Sequence, residues 1–434
     1  MPFMKKPVLF FLATLVLNSL QLNAQNLSST EFKINQSIDA NMNYTLNLLK
    51  NSVNINSGTF NIAGVKKVGE MYLDELKTLG FTVEWVEEPA EMKRAGHLVA
   101  TKKGNKGKKL FLIGHLDTVF EPDMPTNPYK LLNDSTATGQ GVNDMKGGDV
   151  LVIAALKALH ENHLLDDVSI TVYFTGDEEN AGYPRSESRG DFIKRAKESD
   201  IALAFETAAG LNTVATARRG ASGWKLEVEA KQGHSSGVFG NYAGFGAIYE
   251  ASRIVNEFRE KLSKEQYLTF NPGLFIGGSE VNYDEDNQKG DASGKTNIIS
   301  PKTVVIGDLR FLSEQQKENA RNTMRKIVSE SLVGTKSIIS FSDGIPSMPP
   351  TKGNEALAEV VNKISLGLGM GFVKAGNPGS RGAGDISYVA EYIDCLDGLG
   401  CSGSGAHAPG ETINLKQYPW LIKRAALLLF RLTR

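Results

Sequence analysis

Residues 110–118 have the sequence LFLIGHLDT, an apolar run that passes directly into polar side chains. Two later apolar runs, 168–174 and 201–205, are also followed by acidic residues. Short apolar runs bounded by turn residues are typical of buried β-strands. Three strands that each end in polar side chains predict a sheet with one edge that carries chemistry.

Helical segments alternate with these strands. Residues 145–163 place apolar side chains on one helical face and lie between the first and second strands. Strands that alternate with helices predict an α/β domain with a mostly parallel sheet. In such sheets ligands bind at the carboxyl ends of the strands. The polar strand ends are therefore the candidate functional site.

The charge balance narrows the class of protein. The chain has 434 residues, with 48 Lys+Arg and 49 Asp+Glu, so its formal net charge is −1. This balance argues against a nucleic-acid binder, which needs a basic surface. The lysines of residues 102–109 could bind a polyanion, but Gly and Asn between two apolar runs predict a solvated hairpin turn instead.

The cysteine count limits the kinds of metal site. Cys395 and Cys401 are the two cysteines of the chain, too few for a disulfide framework or a thiolate zinc site. Any metal must therefore be held by His and carboxylates. In an oxidising compartment the two thiols could pair, or they could remain free.

The N-terminus resembles a secretory signal. A basic start is followed by the apolar residues 7–20 and by a small residue, Ala24. The apolar run is too short to span a bilayer, which takes about 20 helical residues; the alternative is an uncleaved anchor. We predict a signal peptide at residues 1–24 and an exported protein, periplasmic or secreted, with no membrane association after cleavage.

The pattern of elements changes near residue 218. From there the predicted order is β-α-β-β-α-β, which is that of a ferredoxin-like α+β unit. After it the chain returns to α/β character, with a Gly-rich loop at residues 376–384. We predict a main domain formed by residues 25–217 and 345–434, interrupted by an inserted domain at 218–344.

Five side chains at strand ends or in loops are candidate metal ligands: His115, Asp144, Glu179, Glu206 and His407. Singly each has a structural explanation, since Asp144 could cap the following helix, Glu179 could lie in a solvated turn, and a lone His is usually a surface or core residue. Together, two imidazoles and three carboxylates suit a pair of zinc ions that share one carboxylate. Asp117 could then orient His115, and Glu178 could serve as general base.

Four motifs resemble the signatures of a zinc metallopeptidase superfamily. They are His115-Leu116-Asp117-Thr118-Val119, Gly141-Val142-Asn143-Asp144-Met145-Lys146-Gly147-Gly148, Thr175-Gly176-Asp177-Glu178-Glu179 and Ala406-His407-Ala408-Pro409-Gly410-Glu411. This superfamily contains aminoacylases, acetylornithine deacetylase, succinyl-diaminopimelate desuccinylase and glutamate carboxypeptidases. The resemblance implies a three-layer α/β/α catalytic domain with an inserted lid and dimerisation domain.

The resemblance also implies a role for each ligand. Asp144 would bridge two Zn²⁺ ions, with His115 and Glu206 completing one site and Glu179 and His407 the other: Co²⁺ or Mn²⁺ could replace zinc. Glu178 would take a proton from water and deliver it to the leaving amine. The peptide bond that follows Asp144 is expected to be cis.

Further roles fall in the inserted domain and the Gly-rich loop. His234 resembles a histidine that reaches the active site of the partner in a homodimer, although it could instead cap a turn. Asn297 and Arg310 match substrate-binding positions, and Gly384 lies in a loop expected near the substrate carboxylate. Arginine suits a carboxylate because its planar fork bonds both oxygens.

The expected activity follows from Glu206. In this superfamily Glu at that position accompanies carboxypeptidases and deacylases, whereas Asp often accompanies aminopeptidases, and the chain most resembles the glutamate carboxypeptidase branch. We predict hydrolysis of an amide bond next to a free α-carboxylate, in a small peptide or an N-acyl amino acid. The alternatives are a dipeptidase or aminopeptidase, and an inactive peptidase-like binding protein.

Overall fold

The structure, a computed structural model, describes residues 27–285 and 287–434. The predicted signal peptide lies outside these residues. Among the residues described, no helix is both long enough and apolar enough to cross a membrane. Both cysteines are buried and free.

Before residue 220 the chain alternates strands and helices. The helices are α1 (Ser29–Val53), α2 (Ile62–Thr78), α3 (Lys146–Glu161), α4 (Arg185–Ser188) and α5 (Gly190–Ala196). The strands are β1 (Thr82–Val86), β2 (His97–Lys102), β3 (Lys106–His115), β4 (Lys130–Asn133), β5 (Thr136–Thr138), β6 (Val168–Thr175), β7 (Ile201–Ala204) and β8 (Thr213–Val214).

The rest of the chain forms an inserted unit and then returns to the main domain. The inserted unit contains β9 (Gly220–Ala230), β10 (Gly233–His234), α6 (Ala247–Leu262), β11 (Thr269–Gly278), β12 (Glu280–Asp284), β13 (Lys289–Ser293), β14 (Ile298–Ile299), β15 (Lys302–Phe311), α7 (Glu314–Ser329) and β16 (Thr335–Asp343). After it come α8 (Lys352–Gly367), β17 (Lys374–Ala375), β18 (Asp394–Leu396), β19 (Gly403–Ser404), β20 (Thr412–Asn414) and α9 (Tyr418–Leu432).

The main sheet has the strand order β1-β2-β6-β3-β7-β18. Strands β6, β3, β7 and β18 are parallel to one another. At one edge of the sheet β2 pairs antiparallel with β6, and β1 pairs antiparallel with β2. The predicted α/β class with a mostly parallel sheet is therefore confirmed. Because the parallel strands run the same way, their carboxyl ends meet at one edge.

The lysine-rich segment 102–109 does not form the predicted hairpin. It connects β2 to β3, but β6 lies between these two strands and pairs with both. A local pattern of Gly and Asn shows that the chain turns, but it does not show which strands pair afterwards. This prediction was wrong because β6, which comes later in the chain than β3, takes the place beside β2.

Both faces of the sheet are buried, as an uninterrupted apolar strand requires. Leu110 and Leu112 of β3 pack in a core with α1, α3 and α9. Phe111 and Ile113 face the opposite way, into a second core where Phe111 and Phe192 of α5 meet edge to face. The main domain therefore has helices on either side of one sheet.

The inserted unit has its own sheet and core. Its four long strands form an antiparallel sheet in the order β11-β15-β9-β16, the ferredoxin-like arrangement that the element order predicted. Leu226, Ile254 and Met324 belong to a core that joins this sheet to α6 and α7. The two connections to the main domain pair at Arg218 and Met348. Its roles as a lid and in dimerisation stay predictions.

Candidate active site

The polar residues that end the parallel strands lie together at one edge of the main sheet. His115 is the last residue of β3, Glu178 and Glu179 follow β6, and Glu206 follows β7. Asp144 precedes α3, and His407 lies in the loop between β19 and β20. The fold thus places side chains from five separated segments around one cavity.

One candidate cation group contains His115, Asp144 and Glu206. The Nε2 atom of His115 lies 3.3 Å from Oδ1 of Asp144 and 3.6 Å from Oε1 of Glu206. His115 is buried, and neighbouring groups hold its other nitrogen, so Nε2 is the atom that faces the carboxylates. One imidazole nitrogen and two carboxylate oxygens are a donor set that suits zinc.

The second candidate group contains Asp144, Glu179 and His407. The Nε2 atom of His407 lies 3.2 Å from Oδ2 of Asp144 and 3.2 Å from Oε2 of Glu179. Asp144 therefore turns one oxygen to each group, which is the geometry of a bridging carboxylate. Hydrogen bonds to Asp144 and Glu179 raise the pKa of His407 to about 11, because the two carboxylates favour a positive charge beside them.

A buried oxygen atom without a hydrogen-bond partner supports the assignment of these two groups as cation-binding sites. The Oε1 atom of Glu179 is buried and has no hydrogen-bond partner among the described residues. A buried carboxylate oxygen without a partner is costly unless something else satisfies it. The residues present therefore fit a pair of divalent cations that share Asp144.

The side chain of Asp117 organises this edge of the sheet. His115 Nδ1 lies 3.0 Å from the Asp117 carbonyl oxygen and 3.4 Å from its Oδ1. The two carboxylate oxygens of Asp117 also accept the backbone N–H groups of Glu178 and Glu179, at 3.0 and 3.1 Å. One buried carboxylate thus holds the imidazole and both acidic residues in a common arrangement.

Glu178 lines the metal cavity but belongs to neither cation group. The cavity has a volume of about 270 Å³ and is lined by Asp144, Glu178, Glu179, Glu206, Thr207, Arg218, Arg381, Gly382, Ala383, Ala406 and His407. Burial raises the pKa of Glu178 well above its ordinary value, and the carboxylate of Glu206 raises it further, against the opposing effect of His115. A buried carboxyl next to the ligands is suited to proton transfer.

The loop that carries Asp144 is held from a distant part of the chain. Glu411 accepts the backbone N–H groups of Gly141, Asn143 and Asp144 at 3.1, 2.6 and 2.8 Å. The peptide bond between Asp144 and Met145 is cis, as expected. Glu411 is the last residue of the motif that contains His407, and the local sequence carries no signal for a contact across some 270 residues.

A buried ion network lies behind the metal cavity. Arg189 bonds Asp177 and Asp385 at 2.7 and 2.8 Å, and Thr175 Oγ1 donates to the second oxygen of Asp385 at 2.7 Å. The network joins the segment that carries Glu178 to Asp385, the residue that directly follows the Gly-rich loop. It was not predicted because each partner is an ordinary polar residue in the sequence.

Glu88, His97 and Asp177 form a third cluster of potential ligands, but the protein itself bonds the imidazole of this cluster. The Nδ1 atom of His97 accepts the Gly176 N–H at 3.2 Å, so Nε2 carries the ring proton and faces the Ser188 carbonyl oxygen at 3.2 Å. Both nitrogens are thereby occupied. Burial and the charge of Asp177 raise the pKa of Glu88 to about 8, which disfavours the charged form that would bind a cation.

His234 and Asn297 lie together on the inserted unit, outside the metal cavity. Both side chains are exposed, and the Ser235 N–H donates to the Asn297 carbonyl oxygen at 2.9 Å. His234 also caps a short turn, since its Nδ1 accepts the Ser236 N–H at 3.3 Å. The fold brings these two predicted residues to each other but not to the ligands of the same chain.

Arg310 lines a second cavity, of about 430 Å³, between the inserted unit and the Gly-rich loop. Arg381 and Gly382 line both this cavity and the metal cavity. Gly384 lines neither: it is buried, and a Cβ atom there would lie 2.5 Å from the Arg218 guanidinium. Glycine is needed at this position because Arg218 packs directly against the loop.

Three arginines near the site were not predicted from the sequence: Arg218, Arg219 and Arg381. The first two begin the inserted unit, and their guanidinium groups reach back to carbonyl oxygens of the Gly-rich loop. Two adjacent arginines at a predicted domain boundary are a sequence signal for contacts between the two domains. Arg381 lies in the Gly-rich loop, but the neighbouring sequence does not show that its side chain reaches the metal cavity.

Comparison with known proteins places this geometry in a family. Residues 111–431 match the peptidase family M20/M25/M40. Carboxypeptidase G2 of Pseudomonas sp. (strain RS-16) is 26% identical over 389 residues, which cover 88% of each chain. Succinyl-diaminopimelate desuccinylase of Pelagibacter ubique (strain HTCC1062) is 22% identical over 83% of this chain and 91% of the relative.

A solved structure shows the same fold at low identity. Aminopeptidase PepT from Bacillus cereus ATCC 10987 superposes with a TM-score of 0.70 and 17% identity, over 90% of this chain and 98% of that chain. The family match spans most of the sequence and includes the segments that supply all five candidate ligands. The chain is therefore a hydrolase that belongs to peptidase family M20/M25/M40.

Proposed function

We propose that this protein is an exported, zinc-dependent hydrolase that cleaves an amide bond next to a free α-carboxylate. The observation that carries the proposal is the shared Asp144, which turns one oxygen to each of two His-carboxylate groups beside the buried Glu178. The names of the relatives agree with it, since one is a carboxypeptidase and the other a desuccinylase. Glutamate-carboxypeptidase-like and N-acyl-amino-acid deacylase activities both fit this description.

The donor set defines how the cations would be held. His115, Asp144 and Glu206 would hold one ion, and Asp144, Glu179 and His407 the other. When bound, the ions supply Lewis-acid polarisation of the scissile carbonyl and lower the pKa of water. Zinc is proposed because the ligands are imidazole and carboxylate groups; cobalt and manganese are alternatives.

Glu178 would move the proton in this reaction. Its carboxylate takes a proton from the attacking water and passes it to the nitrogen of the leaving amine. Asp117 fixes the position of Glu178 through the backbone N–H, so little rearrangement is needed between the two transfers. Bound cations would oppose the burial that raises the pKa of Glu178 and would favour the charged, basic form.

A substrate panel tests the activity. Purified protein is loaded with Zn²⁺ and given N-acyl amino acids, C-terminally varied dipeptides, and the same compounds with the α-carboxylate converted to the amide. We expect cleavage of the free acids and none of the α-amides. An aminopeptidase would cleave both forms of the dipeptides and spare the N-acyl compounds. No bound zinc and no turnover of any compound would instead indicate an inactive binding protein.

The placement of His234 supports a homodimer. Because His234 and Asn297 are exposed and lie outside the metal cavity of their own chain, we propose that they complete the cavity of a second copy. Mixing His234→Ala with Glu178→Ala protein should restore activity, since one cavity of the mixed dimer is then intact. Light scattering should show a dimer. A monomer, or mixtures that stay inactive, would contradict this arrangement.

Export is tested at the N-terminus. The full-length chain is expressed in a Gram-negative host, and the protein recovered from the periplasm is sequenced from its N-terminus. We expect the mature protein to begin at Gln25. Protein that stays in the cytosol with Met1 intact would contradict export.

A further inference from the structure

The segment between α1 and α2 packs against the metal site. It comprises residues 54–61, and we call it the α1–α2 linker. Connecting segments usually run over the protein surface, but Ser57 and Thr59 of this linker are buried. Their burial indicates that the linker has contacts to make inside the domain.

Thr59 completes the set of groups that bind the carboxylate of Asp117. Its hydroxyl donates to Oδ2 of Asp117 at 2.6 Å, and the same oxygen accepts the Glu179 N–H at 3.1 Å. The other oxygen, Oδ1, accepts the Glu178 N–H at 3.0 Å and lies 3.4 Å from His115 Nδ1. Each oxygen of Asp117 therefore meets two polar groups, and Thr59 is one of the four.

The environment of Asp117 makes the Thr59 hydroxyl important. Asp117 is wholly buried, and in the described part of the chain it forms no ion pair with a lysine or an arginine. A buried carboxylate is costly unless hydrogen-bond donors satisfy its oxygens. The other three groups belong to the segments that carry the ligands, so Thr59 is the one that ties Asp117 to a different part of the fold.

The linker also holds the loop that carries the shared ligand. Asn56 Nδ2 donates to Gln140 Oε1 at 3.1 Å, and Gln140 Nε2 donates to the carbonyl oxygen of Val53, the last residue of α1, at 3.0 Å. Buried Lys146 donates to the Ile55 carbonyl oxygen at 2.8 Å. Gln140 and Lys146 lie on either side of this loop in the sequence, so the linker bonds both of its ends.

Both candidate cation groups depend on the two segments that the linker joins. Each group contains Asp144 together with one residue that Asp117 holds, which is His115 in the first group and Glu179 in the second. The position of Asp117 relative to the loop of Asp144 therefore sets the spacing of ligands in both groups. Bonds from one rigid segment to both partners fix that spacing.

On the basis of the proposed function, we propose that Thr59 and Asn56 are positioning residues for the pair of cations. Thr59 acts through Asp117, and Asn56 acts through Gln140. Neither residue belongs to a cation group or lines the metal cavity. Their contribution is to hold the ligands at the spacing that the two ions require, before the ions bind.

Thr59→Val tests the first link, because valine keeps the shape of threonine and lacks the hydroxyl. Metal-free protein is titrated with Zn²⁺ in competition with a chromophoric chelator. We expect zinc to bind about 10-fold more weakly, at the lower end of the range for groups that hold metal ligands. With zinc at saturation, kcat should remain several-fold below wild type because Glu178 is also held through Asp117, whereas KM should stay near its wild-type value.

Two further variants separate the hydroxyl from the packing of a threonine. Thr59→Ser keeps the hydroxyl and should bring zinc affinity and kcat back close to wild type. Thr45→Val is the matched control: Thr45 is buried in α1, and its hydroxyl donates to the Asn41 carbonyl oxygen at 3.1 Å, away from the metal site. We expect no change in its zinc affinity or kcat.

Gln140→Met tests the second link independently. Methionine fills a similar volume but cannot bond Asn56 or Val53. Zinc affinity should fall by a factor similar to that in Thr59→Val, because the loop of Asp144 loses its contact with the linker. This variant decides the proposal if Thr59→Val does not fold.

The outcomes distinguish this proposal from the proposed function. A wild-type protein that binds no zinc would overturn the function. Wild-type zinc affinity in Thr59→Val would overturn the role of Thr59, and the same result in Gln140→Met would overturn that of Asn56; both leave the function intact. Thr59→Ser that binds zinc as weakly as Thr59→Val would also contradict the role of the hydroxyl.

Discussion

The metal cavity and the basic cavity adjoin each other but carry opposite charge. The first is lined by four acidic side chains and the second by three arginines, and Arg381 and Gly382 belong to both. The acidic side chains need cations, which the proposed metal ions supply. The arginines favour an anionic ligand. Neighbouring cavities of opposite charge can therefore divide one reaction between chemistry and recognition.

The two cavities also differ in how firmly their residues are held. Backbone N–H groups bind the carboxylates that support the metal site, with three on Glu411 and two on Asp117. Preorganised groups of this kind cost little reorganisation during reaction. The Nε of Arg219 has no partner among the described residues, and the side chain of Arg310 is partly exposed to solvent. These two side chains can therefore adjust to a ligand.

The largest loss of catalytic activity is expected when Glu178 is substituted. Glu178→Gln should lower kcat by about 1000-fold, because the amide cannot accept the proton from water. Metal content, measured by inductively coupled plasma mass spectrometry, should stay at the wild-type level because Glu178 belongs to neither cation group. Activity within tenfold of wild type would remove Glu178 as the base.

The shared ligand should matter more for metal content than an unshared one. Asp144→Asn should lose most of both ions, whereas His407→Gln should keep about one ion per chain, because only Asp144 belongs to both groups. The same mass spectrometry measures both variants after dialysis against metal-free buffer. Equal metal loss in the two variants would show that Asp144 does not bridge.

The loss of protein stability on substitution should distinguish a buried arginine from one that can bind a ligand. Arg189→Met should lower the free energy of unfolding by about 3–5 kcal/mol, because it leaves the buried carboxylates of Asp177 and Asp385 without a partner. Arg310→Met should cost less than about 1 kcal/mol, because its ion pair is partly exposed. Urea denaturation measures both, and similar losses would contradict the contrast.

A change in salt concentration should have the smallest effect on the kinetics of the enzyme. Raising NaCl from about 0.05 M to about 0.5 M should raise KM for an anionic substrate several-fold, because the ions screen the basic cavity. The same series with Arg310→Met should show a weaker dependence. Steady-state kinetics measure KM, and a KM that does not respond to salt would argue against electrostatic recognition in this cavity.

The sequence predicted the parts of the fold that depend on local patterns. The apolar runs around Leu112, Val172 and Leu203 are buried strands, and His115, Glu179 and Glu206 lie at or just after the ends of these three strands. The β-α-β-β-α-β order of the inserted unit was also visible. Strand pairing was not, and β6 displaced the predicted hairpin at residues 102–109.

By itself, the sequence determined which residue types could hold metal, because a chain with two cysteines leaves imidazole and carboxylate as donors. Only the tertiary structure decided that Asp144 faces two groups, that Glu411 holds its loop, and that Arg381 joins two cavities of opposite charge. Motifs record neighbours along the chain, whereas these contacts join segments that lie from 29 to 270 residues apart. Their distances and charges therefore exist only after the sheet has assembled and the inserted unit has packed against the Gly-rich loop.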